Sequence, residues 1–138
     1  MPLSETIVMQ IDADLTEVRR FLDEPRNYAK WAAVDPDSYR QLPDGDWSAQ
    51  VRFGGLRHIR FLKEAPEAGM HDHAVFAPGE EPLWMPMRSL AKGEGTELRF
   101  TFTQRPGMSE ESFRSTIEWI TIDLLTLKTL LEARSRRA

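Results

Sequence analysis

Residues 109–133 constrain the fold more than any other stretch of this sequence. Ser109, Glu110 and Glu111 open the stretch, and Lys128, Arg134, Arg136 and Arg137 close it. A capping hydroxyl with acids at the start and bases at the end matches the preference of a helix macrodipole. Phe113, Ile117, Ile120, Leu124, Leu127 and Leu131 follow at alternating steps of four and three, which makes one apolar stripe. The predicted helix is roughly 38 Å long, enough to cross a small domain. Burying those side chains is worth on the order of 10 kcal/mol before chain entropy is subtracted. No other stretch offers so much apolar surface, so the preceding strands are expected to wrap around it.

The chain before that helix reads as one strand, two short helices and about six hairpin-linked strands. Residues 4–13 alternate, with Ile7, Met9 and Ile11 on one face. Asp14 with Glu17 resembles a capping box, and Val18, Phe21 and Leu22 supply a two-turn helix. Pro25 ends it and starts a shorter helix carrying Tyr28 and Trp31. Residues 38–42 form a weak strand before the turn at Pro43-Asp44-Gly45-Asp46. Trp47, Ala49, Val51 and Phe53 alternate with polar residues, and Gly54-Gly55 fits a tight hairpin turn.

Residues 56–63 are the next strand, with Ile59 and Phe61 set against Leu56, His58 and Leu62, so its phase is ambiguous. Residues 71–76 and 83–91 follow, and Pro86 inside the second run calls for an edge position or a bulge. Gly93-Glu94-Gly95 turns the chain into the cleanest strand, where Leu98, Phe100 and Phe102 alternate with Glu97, Arg99, Thr101 and Thr103. Strands run together with helices at the ends indicate an α+β fold with an antiparallel sheet. All of residues 1–138 fit one domain, with no repeat or linker.

Composition narrows the function classes. A formal net charge of −4 gives nucleic-acid binding no support. The chain has no cysteine, which excludes thiol catalysis and a disulfide framework and fits a reducing compartment. No stretch approaches eighteen apolar residues and no signal-type region opens the chain, so a cytoplasmic protein without an integral membrane segment is expected.

The opening IDADLTEVRRFLDEPRNYAKWA and the closing ELRFTFTQRPGMSEESFRSTIEWITIDLLTLKTLLE resemble the SRPBCC superfamily, also called START-like, Bet v 1-like or polyketide cyclase/dehydrase-like. The closing segment is similar to small bacterial members, and the resemblance covers nearly the whole chain. It implies a helix-grip fold, in which a curved seven-stranded antiparallel sheet surrounds the C-terminal helix and leaves a cavity between them. Members bind lipids, hormones, flavonoids or polyketide intermediates, and some cyclise or hydrolyse them. No catalytic motif is common to the group, so the fold alone does not settle function.

Three residue groups carry candidate chemistry. His71 and His73 share a strand face about 7 Å apart, with His58 the only other histidine to complete a metal site. His71 beside the Gly69 turn is expected to be exposed, and no metal or cofactor is expected. Asp123 falls on or beside the apolar helix face, where a carboxylate is expensive unless paired. It could be an acid, base or polar anchor in the cavity, a helix-to-sheet ion pair at the rim, or an exposed residue. Arg88 or His73 could be its partner, and all three are candidate catalytic residues. The third group is Trp31, Phe53, Met85, Met87, Phe100, Phe102 and Phe113, to which Ile117, Ile120 and Leu124 of the helix are added as candidate ligand contacts. Paired methionines suit an adaptable apolar pocket, although core packing explains any one of them.

Gly93-Glu94-Gly95 opens no helix and so cradles no phosphate. Ser89, Ser109 and Ser112 have no histidine at triad-like spacing. Ile122 and Leu125 lie off the stripe and could meet the N-terminal helices or make a dimer contact. The leading expectation is binding of a small hydrophobic or aromatic ligand by a monomer or homodimer. An enzyme that uses Asp123, His73 and Arg88 on a carbonyl compound is the second, and an interaction module with a filled core the third.

Overall fold

The computed structural model describes residues 1–52 and 54–137. Strand β1 (Ser4–Ile11) lies antiparallel to β8 (Gly95–Thr103), which pairs on its other side with β7 (Met87–Lys92). In that register Ile7 stands opposite Phe100 and Met9 opposite Leu98, so two alternating strands turn their apolar residues the same way. A second sheet runs in the order β2 (Arg40–Gln41), β3 (Trp47–Val51), β4 (Gly55–Phe61), β5 (His73–Phe76) and β6 (Trp84–Met85). Every pair is antiparallel, as the α+β reading requires.

Among the described residues, eight strands in two sheets replace the seven strands in one sheet expected from the sequence, and Pro86 is the reason. The run 83–91 is interrupted there, because proline has no N–H to give to a ladder. Before it, Met85 and Trp84 pair with β5; after it, Met87 pairs with Phe100 of β8. The Pro86 carbonyl accepts from Thr101 N at 2.9 Å, so the chain passes from one sheet to the other without losing that bond. The ambiguous phase of residues 56–63 resolves with Ile59 fully buried and Leu56 exposed.

Helix α1 (Leu15–Leu22) is capped by Asp14, whose carboxylate accepts from Thr16 N and Glu17 N. Only half of the expected capping box forms, since the Glu17 side chain turns to Arg20 at 2.8 Å instead. The short helix after it is a 3-10 segment, Pro25–Lys30, and Trp31 caps its end rather than lying within it. Helix α2 (Glu110–Arg137) runs four residues past the end expected from the sequence and has 28 residues. Ser109 opens it, its hydroxyl accepting from Ser112 N at 3.0 Å. Phe113, Ile117, Leu124, Leu127 and Leu131 are buried and Ile120 partly so. The stripe therefore packs on the sheet, and Phe113 stacks on Phe102 with ring centroids 5.7 Å apart. Lys128 and Glu132 pin the far end of α2 to β1 through Gln10 O and Asp12 N. Ile122 and Leu125 stay about half exposed on the outer side of α2.

Candidate functional site

Packing is incomplete on one flank of α2. A cavity of about 450 Å³ lies between that flank and the inward faces of the strands. Strand β8 contributes Phe100 and Phe102, alternate residues that share a face, and β6 contributes Met85. Trp31, Ala33 and Val34 close one side from the segment after the first 3-10 helix. Helix α2 presents Thr116, Trp119, Ile120 and Asp123. On a wheel of 3.6 residues per turn Thr116, Trp119 and Asp123 sit roughly a quarter-turn from the centre of the apolar stripe, while Ile120 belongs to the stripe itself. The helix thus packs with one face and walls the cavity with the next.

That offset decides which expected contacts reach the space. Trp31, Met85, Phe100, Phe102 and Ile120 line it. Met87, Phe113, Ile117 and Leu124 do not; they are buried in the core, where the stripe meets the sheet. Phe53 lies outside the described residues.

Asp123 is a wall residue of the cavity. Its Oδ2 accepts from Ala33 N at 3.2 Å, and among the described residues no cation forms an ion pair with it. Burial pushes its carboxyl up to about 7, against the opposing pull of the Ala33 N–H and the Arg52 charge. His73 lines the same cavity and is buried among the rings of Tyr28, Trp31, Phe61 and Phe100. Its Nδ1 lies 3.1 Å from the His71 carbonyl, so Nδ1 carries the proton and Nε2 is the bare nitrogen. Burial pulls the imidazole down to about 4, which keeps it neutral.

This burial has a measurable consequence. The folded value lies below the ordinary histidine value, so the unfolded chain takes up the proton first. The His73 contribution is complete above about pH 6.5 and is lost as pH falls toward about 4, up to about 3 kcal/mol in all. Urea titrations across that window are expected to show wild type losing stability relative to His73→Phe as pH falls, by up to that amount.

Arg88 does not join these two residues. It pairs with Asp72 and donates to Met87 O, outside the cavity lining. Strand alternation explains this: Met87 and Ser89 on either side of it are buried, so Arg88 faces the other way.

His71 is buried rather than exposed, and it bonds to Ser89, a serine for which the sequence indicated no histidine partner. The backbone brings them together, His71 N donating to Met87 O and Ser89 N to Gly69 O. The pair is eighteen residues apart in the chain, and its adjacency is set by this cross-strand register. Nε2 of His71 lies 2.8 Å from Ser89 Oγ and Nδ1 lies 3.0 Å from Asp23 Oδ1. Arg19 Nε donates to the same hydroxyl at 3.1 Å. Burial pulls the His71 value down, and Asp23 opposes it.

The order Asp23, His71, Ser89 is that of a hydrolytic triad, but Ser89 is 1% exposed and does not line the cavity. The chain of bonds is a brace tying α1 to β7. Gly69 belongs to it: at φ +87° a side chain there would meet Ser89 O at 2.8 Å. Ser89→Ala is expected to cost about 1–2 kcal/mol in urea unfolding and to leave ligand binding unchanged. His58 is apart from the other two histidines, edge-on to Phe76, and no metal-binding cluster occurs among the described residues.

No family model and no curated protein matches the sequence. Solved structures do match it. The Aha1 dimer from Colwellia psychrerythraea, solved in solution, aligns at TM-score 0.70 and 16% identity over 94% of this chain and 96% of its own. DynU16, a protein in the dynemicin biosynthetic locus, aligns at 0.69 and 15% over 96% of this chain and 48% of its own. CalU16 from Micromonospora echinospora aligns at 0.62 and 16% over 94% and 74%. The chain shares the fold of these structures, a helix grip of antiparallel strands around one long C-terminal helix. In this helix-grip chain the grip is the pair of sheets joined through Pro86, and the gripped element is α2. At such identities only the fold carries across, so the roles of Asp123 and His73 rest on their own geometry.

Proposed function

We propose that this helix-grip chain binds one small, largely apolar molecule in the cavity beside α2. The observation that carries the reading is the cavity itself, about 450 Å³ of open space between α2 and the aromatic face of the strands. That volume falls within the range of about 300–1,000 Å³ common for ligand pockets. Its wall combines aromatic rings and Met85 with few polar groups, the pattern that gives affinity through burial and orientation through hydrogen bonds. Open space beside α2 favours this reading over an interaction module with a filled core. Calorimetric titration with naphthol tests the reading. Thr116→Trp, which fills the cavity from α2, is expected to weaken binding at least about tenfold without unfolding the chain. Equal binding by both proteins would remove the cavity as the site.

A second reading is favoured by one observation, the carboxyl of Asp123 poised at about 7 in a cavity that also holds neutral His73. A group with that value exchanges protons readily at neutral pH and suits deprotonation of a bound carbonyl compound. Asp123→Asn should then abolish turnover of such a substrate; unchanged turnover removes Asp123 from the chemistry. We further propose a monomer or homodimer in the cytoplasm, with light scattering as the test of assembly. Among the described residues no helix is long and apolar enough to cross a membrane.

A further inference from the structure

Two arginines line the same cavity away from Asp123. Arg57 stands on β4, and Arg105 lies just beyond the end of β8. Arg57 donates to the carbonyls of Gly54 and Leu56, and among the described residues no carboxylate pairs with it. Arg105 donates to Val75 O and reaches Glu80 at 3.4 Å. Glu80 is exposed, and its ion pair is with Arg105. Burial and the nearby Arg57 charge both push the Arg105 value down, so the two cations oppose each other there. Arg52 is the cation whose charge acts on the Asp123 carboxyl. Asp123 also lies roughly 20 Å along α2 from its first residue, while Arg105 precedes that helix. The cavity therefore has two polar poles, with the rings of Phe100, Phe102 and Trp31 in its apolar wall.

We propose that the ligand is an apolar carboxylic acid, its carboxylate held by Arg57 and Arg105 and its aryl or alkyl body laid along the aromatic wall. A carboxylate relieves the repulsion between the guanidinium groups and accepts from their planar N–H edges, which suits arginine better than lysine. The far end of such a ligand meets Asp123, where a neutral hydrogen-bonding group fits and a second carboxylate does not. This proposal rests on the cavity being the ligand site.

Matched acid and amide probes separate the two claims. The full chain is titrated by calorimetry with naphthoate and with naphthamide, which differ only in the charged group. Naphthoate is expected to bind about tenfold or more tightly than the amide, with the preference shrinking as salt rises. Arg57→Gln is expected to remove about tenfold from naphthoate binding and to weaken naphthamide far less. Arg57 is the deciding position because its bonds go to turn carbonyls, and a thermal melt confirms that the variant is folded. Arg105→Gln should act the same way. Equal affinity for acid and amide, with both arginine variants silent, overturns the acid proposal while the cavity reading stands. Binding of neither compound to wild type removes both.

Discussion

Leu124→Ala is expected to cost about 4 kcal/mol of stability. Leu124 is completely buried, one of two fully covered leucines at the middle of the α2 stripe. Truncation removes its apolar surface from the packed side of the helix and leaves a void that the sheets cannot collapse to fill, because β1 and α2 are pinned together at Gln10 and Asp12. Urea unfolding measures the loss directly. A loss below about 1 kcal/mol would mean that α2 does not plug the core as described.

The residue before it is expected to respond in the opposite direction. Asp123→Asn should raise stability by about 2 kcal/mol near pH 8, or roughly 8 °C in Tm, after allowance for the partial hydration of the site. The folded-state carboxyl value of about 7 lies above its ordinary value of 3.8, so the folded chain holds the proton more tightly than the unfolded chain does. That advantage is complete at or below about pH 4 and is lost as pH rises through about 7. Asparagine keeps an acceptor for Ala33 N and has no charge to bury, so the gain should appear at alkaline pH and vanish in acid. A variant less stable than wild type near pH 8 would mean that Asp123 is held ionised by a partner. A wall residue that lowers stability at neutral pH is the kind expected where function, rather than packing, requires it. His73 runs the other way with pH, so the two groups offset each other between about pH 4 and 6.5, and Asp123→Asn should expose the acid sensitivity due to His73.

Much of this arrangement was legible in the residues. The spacing of Phe113, Ile117, Leu124, Leu127 and Leu131 marks the buried face of α2, and Ser109 marks its start, because both signals are local to one helix. Asp123 stood out as a carboxylate beside that face, and the cavity lies on that side. Pro86 signalled the break between β6 and β7. What was not legible depends on register between distant segments. The bond between His71 and Ser89 exists only because the strand holding Met87 runs antiparallel beside the Gly69 turn, and neither residue carries a local mark of it. Arg57 lies in the strand whose phase was ambiguous, and Arg105 in the turn before α2, so nothing nearby indicated that either faces the cavity. Phe113, Ile117 and Leu124 share their apolar character with the wall residues, and composition does not separate two adjacent helix faces. The offset of about a quarter-turn does.

The central claim is that a small apolar molecule occupies the space beside α2. Backbone amide shifts of the labelled full chain, followed during titration with naphthol and naphthoate, test it most directly. The expected result is saturable, one-to-one shifts concentrated at Trp31, Ala33, Phe100, Ile120 and Asp123, which Thr116→Trp abolishes. Saturable shifts confined to the outer faces of the sheets, or none at these residues with either compound, would contradict it.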